Sequence, residues 1–319
     1  MIFFQQHYHT IEFFKKNYPV WNEIKITDTP HYIFCKGNEY LYKDYLHNSW
    51  KNPRLRKSID DIDEKITIFR ELKRSILREG CIEPIEVAFD EFGRELIIHG
   101  NHRASICTLL NIPFKKKVTN IKDKILQLCM NEDERYGTGI YDVPYQPVIN
   151  HENKVILDGR RNDLIKRHEI IMDWVSLKDK IVMDLGCNTG SSGILCLNSG
   201  AKKIYNIDIS ERLLSSAIKL AVLFNKSDVD FLQCNLSEER FMLDCKADIA
   251  FCFSIHSHVN NNKLLTENMN YNLKENAKLI FETHKKGERI PAEILEKFRI
   301  LDFNENLKNR DLYLLEKGE

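Results

Sequence analysis

The sequence predicts a two-domain α/β protein. An open, mostly parallel sheet with helices on both faces forms the C-terminal half, and a smaller α+β domain precedes it. Three observations carry this. The chain has 319 residues, and about 150 residues per domain suggests two domains. From Lys180 to the end, strand-like and helix-like segments alternate, the pattern of a doubly wound sheet. Between the halves, Gly137, Gly139, Pro144, Pro147 and Gly159 punctuate a polar stretch over 131–162, as a boundary does. The expected division is a domain at 1–135, a lead-in segment at 136–165 and a second domain at 166–319.

In chain order, residues 1–60 are dense in aromatics (Phe3, Phe4, Tyr8, Phe13, Phe14, Tyr18, Trp21, Tyr40, Tyr42, Tyr45, Trp50) and read as an arm packed on a neighbouring domain. Ile62, Ile66, Ile68, Phe69, Leu72, Ile76 and Leu77 recur at mostly helical spacing, and Gly80 ends the run as a C-cap would. Strands follow at 84–89 and 95–99 around an Asp90–Gly93 turn. A short helix at 104–110, a strand at 114–118 and a helix at 121–129 complete this half. The second half predicts strands at 181–185, 203–207, 229–233, 248–253 and 278–282. Its helices are expected at 192–198, 211–224, 262–273 and 292–298. Residues 300–303 and 312–315 read as a closing antiparallel pair.

Composition narrows the function classes. Hydrophobic residues make up 43% and charged residues 29%, which supplies two cores and excludes global disorder. Basic and acidic residues are equal at 47 each, so the bulk excess that phosphate binding calls for is missing and a nucleic-acid partner is not expected. Nine cysteines with no Cys-x-x-Cys pair argue for reduced thiols in a cytoplasmic protein, without a structural zinc site. No apolar run approaches the ~20 residues of a membrane span. The oligomeric state is not legible.

The sharpest motif is Val182-Met-Asp-Leu-Gly-Cys-Asn-Thr-Gly190, a buried strand ending in a glycine loop that opens a helix. Gly186 and Gly190 let the backbone turn and approach a ligand lying across the strand ends. Asp208 ends the next strand, ~20 residues on, where an acid accepts bonds from both ribose hydroxyls. A dinucleotide would place its pyrophosphate at this loop, and Asp184 would repel it. The ammonium and sulfonium of S-adenosylmethionine would be attracted. The motif resembles that of class I S-adenosylmethionine-dependent methyltransferases, over about residues 155–317. The resemblance implies a Rossmann-like seven-stranded sheet and S-adenosylmethionine as cofactor. Asp184, Gly186, Cys187, Asn188 and Gly190 would form the methionine-side pocket, with Arg167 as a further cofactor contact. Asp208 would hold the ribose, and Asn235 would face the adenine, where the family often has Asp. Ser254 stands at the rim where the methyl acceptor approaches.

A hydroxyl acceptor needs a base. His256, His258, Glu282 and His284 sit at predicted strand ends on the cofactor side, and histidine titrates near neutrality. His256-x-His258 lacks an evident third ligand, so no metal is expected. Upstream, Tyr141-Asp-Val-Pro-Tyr-Gln146 and Gly159-Arg-Arg161…Arg167 resemble the lead-in of methyltransferases of bacterial surface polysaccharides and small molecules. That implies a small-molecule or glycan acceptor and a place in polysaccharide biosynthesis. Arg160, Arg161 or Arg167 could clamp a carboxylate or phosphate.

Residues 64–118 resemble the ParB/sulfiredoxin-like fold through Ser75-Ile…Gly80…Glu83-Pro-Ile-Glu-Val and Ile97-Ile-His-Gly-Asn-His-Arg-Ala104. The resemblance implies that Gly100, Asn101, His102 and Arg103 gather nucleotide phosphates at a helix N-terminus, with ATP or CTP and Mg2+ as the ligand and a kinase-like phosphotransfer as one activity. The acids Asp60, Asp61, Asp63 and Glu64 would supply its base, and Lys115-Lys-Lys117 could support a phosphate. The alternatives are a domain that has lost nucleotide binding and presents substrate or a partner, a ParB-type DNA-associated module, for which no helix-turn-helix is found, and an RNA methyltransferase.

Overall fold

The computed structural model describes residues 1–4, 6–49, 60–130, 144–307 and 309–318. The chain forms two compact units, residues 1–127 with 218–227, and residues 128–217 with 228–319.

In the first unit, β1 (Ile2–Phe3) precedes three helices, α1 (Tyr8–Asn17), α2 (Pro30–Cys35) and α3 (Tyr40–Ser49). The long α4 (Asp60–Glu79) follows, with Ile62, Ile66, Phe69 and Ile76 buried and Ile68 and Leu77 facing outward. Next come β2 (Cys81–Phe89), β3 (Glu95–His99), α5 (Asn101–Leu110), β4 (Phe114–Val118) and α6 (Ile121–Met130). The strands form one sheet in the order β1-β3-β2-β4. The N-terminal segment is therefore more than an arm: Ile2 and Phe3 pair in parallel with Leu96 and Ile97 of β3. Its rings build the core beneath, where Phe14 meets Phe3 and Tyr45, both of these meet His31, and His31 meets Tyr42, Phe69 and His102. Trp50 lies outside the described residues.

The second unit opens with a small pair, β5 (Val148–Ile149) and β6 (Val155–Leu157), and α7 (Leu164–Trp174). Alternation then runs through β7 (Ile181–Leu185), α8 (Ser191–Asn198), β8 (Lys203–Asp208), α9 (Glu211–Leu223), β9 (Val229–Gln233) and β10 (Ala247–Phe253). It continues with α10 (Asn262–Asn272), β11 (Leu273–Glu282), α11 (Ala292–Leu295), β12 (Phe298–Leu307) and β13 (Arg310–Lys317). Seven strands form one sheet in the order β12-β13-β11-β10-β7-β8-β9. β7 to β11 run parallel, and β13 is antiparallel to both β11 and β12. The order reverses at β7: β8 and β9 lie on one side, β10 and β11 on the other. The central strands are apolar on both faces, as burial between two helix layers demands; Val182, Met183, Phe251 and Cys252 are nearly solvent-free.

The helix expected at 292–298 is the one clear correction. It stops at Leu295, and Phe298 opens β12 opposite Lys317, buried against Leu279 and Leu315. A single turn of helix is too short to bury Phe298, whereas an edge strand aims it into the core. β11 also begins five residues earlier than expected, at Leu273. Among the described residues, no helix is long and apolar enough to cross a membrane.

Candidate functional site

Where the strand order reverses, loops from three parallel strands leave a cleft, the position at which doubly wound sheets bind ligands. β7 contributes Gly186 and Asn188, β8 contributes Asp208 and Ile209, and β10 contributes Phe253, Ser254, Ile255 and His258. Arg161 and Arg167 line it from the segment before the sheet, together with Tyr145 and Gln146.

The β7 loop needs its glycines. Gly186 has φ +71°, and a β-carbon there would stand 2.7 Å from Ile255 Cδ1. Gly190 has φ +79°, opens α8, and would press a β-carbon to 3.0 Å from Ala217 Cβ. The peptide N–H groups of Gly186 and Cys187 both donate to the Ile207 carbonyl, which fixes the loop against β8. Asp208 completes it: Oδ2 accepts the Asn188 N–H at 3.0 Å and Oδ1 the Ser210 N–H at 2.9 Å.

Asp184 is the penultimate residue of β7, behind the loop, and does not itself line the cleft. It is 2% exposed and its Oδ2 has no hydrogen-bond partner. Burial raises its pKa to about 7, with Arg167 opposing and Asp208 adding to the rise. A buried carboxylate lacking a full counter-charge, next to a glycine cradle, fits a cationic ligand in the cleft. The acid Asp208 and the exposed Ile209 beside it fit a ribose and the face of an aromatic base.

Opposite stands Glu282, the last residue of β11 and solvent-free. It accepts from Arg161 Nη1 at 3.0 Å and Nη2 at 3.1 Å, Arg167 Nη1 at 2.9 Å, Arg310 Nη1 at 3.2 Å and Ser254 Oγ at 2.6 Å. Arg310 Nη1 also donates to Ser254 Oγ. Burial alone would push this carboxyl up, but Arg167 and Arg161 outweigh it and hold it at about 2. A fully ionised, saturated carboxylate cannot take a proton near neutrality. Glu282, expected among the bases, anchors the arginines instead. Arg167 also lies over the Phe253 ring, 4.0 Å from its centroid.

The three histidines separate. His258 lines the cleft. The His284 ring stands 5.6 Å from it at 90°, and burial, Arg310 and His258 lower its pKa. His256 is turned inward against Phe281, 5% exposed. Its Nε2 lies 3.5 Å from Glu288 Oε1, a charge contact rather than a well-formed hydrogen bond, and burial lowers its pKa. Asn235 does not reach the cleft: its Oδ1 caps a turn at the Ser237 N–H. Cys187 is fully buried beneath the loop.

Sequence reasoning did not single out Phe253, Ile209, Leu213 or Arg310. The apolar Ile209 directly after Asp208 was the available signal for one of them. Arg310 carried none, because only the β12–β13 hairpin returns it to Ser254. Of the lead-in motif, Tyr141 to Val143 lie outside the described residues, as do Gly137 and Gly139. Tyr145 is held by the Arg161 N–H, which donates to its carbonyl, and by the Arg160 guanidinium over its ring.

In the first unit, Gly100 is left-handed at φ +98° and opens α5 without a capping side chain. The Arg103 guanidinium folds back over it and pairs with Glu83. His102 points the other way, into the aromatic core, with Nε2 2.8 Å from Tyr42 Oη. Burial lowers its pKa to about 4. Asn101 is buried, with Oδ1 lacking a partner.

A sheet of this order with a glycine loop and a strand-end acid at its reversal point defines a Rossmann-like cofactor-binding domain. Residues 176–319, a little under half of the chain, match the family model described as a methyltransferase domain. Among curated relatives, protein arginine N-methyltransferase 1 of Schizosaccharomyces pombe is 34% identical over 100 residues, covering 31% of this chain and 28% of the relative. An uncharacterised protein of Haemophilus influenzae is 29% identical over 148 residues, 40% of this chain and 54% of its own. The chain thus spans about half or less of these relatives' length. A crystal structure of an S-adenosylmethionine-dependent methyltransferase from Aquifex aeolicus is 20% identical, with TM-score 0.44, covering 50% of this chain and 94% of that one.

Proposed function

We propose that this protein transfers a methyl group from S-adenosylmethionine to a small-molecule or glycan-linked acceptor. The observation that carries it is the cleft at the reversal point, with the Gly186–Asn188 loop on one side and Asp208 on the other. When bound, S-adenosylmethionine supplies a methyl group on an electrophilic sulfonium. The chain's own residues do the rest. Asp208 holds the ribose hydroxyls, and Ile209 and Leu213 cover the base. Arg167, anchored by Glu282 through Nη1, offers its remaining N–H groups to the methionine carboxylate. Asp184 supplies negative charge behind the loop. Ser254 and Tyr145 orient the acceptor at the rim, since transfer is mainly a matter of alignment. His258 receives the proton released from a hydroxyl acceptor, with His284 beside it.

Calorimetry with S-adenosylhomocysteine tests this reading. Binding by the wild type that Asp208→Ala weakens supports it; a wild type that binds neither S-adenosylhomocysteine nor S-adenosylmethionine ends it.

For the first unit, the left-handed Gly100, the uncapped start of α5 and Arg103 beside it support a ParB/sulfiredoxin-like, nucleotide-binding reading, with ATP or CTP and Mg2+ as ligand. His102 has a packing role in that reading. Titration of ATP and CTP with Mg2+ into wild type and Arg103→Ala decides it: no heat with either nucleotide removes the phosphotransfer idea.

A further inference from the structure

The wall of the cleft facing the acceptor carries donors without free acceptors. The carboxylates near it are engaged or buried; Asp184, whose Oδ2 has no partner, lies behind the loop and does not line the cleft. Glu282 accepts from three arginines and Ser254. Asp163 faces Arg161. Glu288 Oε2 takes the backbone N–H groups of His284 and Lys285, and its Oε1 faces His256. Asp311 Oδ2 takes the Gly287 N–H, and its Oδ1 is unpartnered but buried away from solvent. On the cofactor side, Asp208 is turned to Asn188 and Ser210.

The donors are not exhausted. Arg310 uses only Nη1 toward Ser254 and Glu282, so among the described residues its Nη2 and Nε have no hydrogen-bond partner. His258 lines the cleft, and its ring nitrogens make no hydrogen bond to the described residues. The His284 ring adjoins it, with Nδ1 unpartnered and buried. Arg310 and His258 both act on His284, after burial, to disfavour its charged form, which places these groups within one another's field.

Resting on the methyl-transfer reading, we propose that the acceptor carries an anionic group, a carboxylate or a phosphate, and that Arg310, His258 and His284 hold it at the rim beside Ser254. Charge-assisted bonds from a guanidinium fork and imidazole N–H groups reward an anion. A cleft lined by His258, with Arg310 and His284 next to its lining residues Ser254 and His258, concentrates one. A guanidinium or alkylammonium acceptor would meet N–H groups and find no open carboxylate to replace its water.

The test uses the full chain saturated with S-adenosylhomocysteine. Benzoate and phenyl phosphate serve as anionic probes, benzamide as the neutral one and benzamidine as the cation, each titrated calorimetrically. The anions are expected to bind about ten-fold or more tighter than benzamide, the gain of one charge-assisted bond. Benzamidine is expected to bind weakest. His258→Gln and Arg310→Gln should each weaken the anions several-fold, and His258→Gln should keep its S-adenosylhomocysteine affinity, which shows that it is folded. Benzamidine binding best, absence of anion binding in the wild type, or variants that bind anions like wild type would each overturn the proposal. Loss of S-adenosylhomocysteine binding in the wild type would strike the methyl-transfer reading separately, because the anion titrations are repeated without it.

Discussion

Asp208 and Glu282 show how differently two carboxylates at strand ends of one sheet behave. Asp208 is oriented by two backbone N–H groups, leaving it directed at the cleft. Asp208→Ala is expected to lower S-adenosylhomocysteine affinity by about 10- to 100-fold, the loss of hydrogen bonds to a charged group; unchanged affinity by calorimetry would remove this acid from the cofactor site. Glu282 is a buried anion among three arginines. Glu282→Gln leaves their charge uncompensated and should cost about 3–5 kcal/mol of stability, read from urea unfolding. The acid at Asp208 was legible because it ends a strand at a recognisable distance from a glycine loop. The role of Glu282 was not: its polarity and strand-end position matched those of a base, and only the arginines around it settle its protonation.

At the scale of elements, position in the sheet sets the energetic weight of each strand. β10 lies at the sheet centre, and Phe251 within it is 1% exposed. Phe251→Ala should cost about 3–5 kcal/mol, transfer and cavity terms together. Ile300 lies on the edge strand β12 and is 48% exposed; Ile300→Ala should change stability by no more than about 0.5 kcal/mol. Equal losses in denaturant titrations would contradict the sheet order. The central strands were readable because burial on both faces makes them continuous apolar runs. The segment at 292–298 was misread because its apolar spacing suits a helix as well as a helical turn feeding a strand. The pairing of Phe298 with Lys317 makes the choice, and that partner lies far along the chain.

Across the whole molecule, burial keeps histidines neutral in both units, His31 and His102 in the first and His168 and His256 in the second, and the second unit adds the buried ionised Glu282. In the first, burial holds His102 at about 4 and lowers His31 well below its usual value. Both are neutral in the folded unit, with folded values below the 6.5 of the free side chain. Their neutral burial therefore supports folding fully above pH 6.5, and that support is lost as pH falls from 6.5 through about 4. In the second unit, Glu282 is held at about 2 against 4.5 when free, so its contribution is intact above 4.5 and fades only from there toward 2. Hydrogen exchange followed by mass spectrometry on the full chain should show peptides around His102, residues 60–118, losing protection as pH falls from 6.5 toward about 4. Protection unchanged over that range would show that these groups do not govern acid stability.

The sequence by itself determined the alternation of elements, the glycine loop of β7, the acid that ends β8 and hence the Rossmann-like architecture of the C-terminal half. These are local: each depends on periodicity, turn chemistry or a short fixed spacing, which neighbouring residues impose on one another. The tertiary structure alone decided that β13 inserts between β11 and β12, that His102 and His256 turn into cores while His258 lines the cleft, and that Arg310 reaches Ser254 and Glu282. Those outcomes join residues far apart in the chain, and the burial and charge balance that fix them arise only when the strands lie side by side.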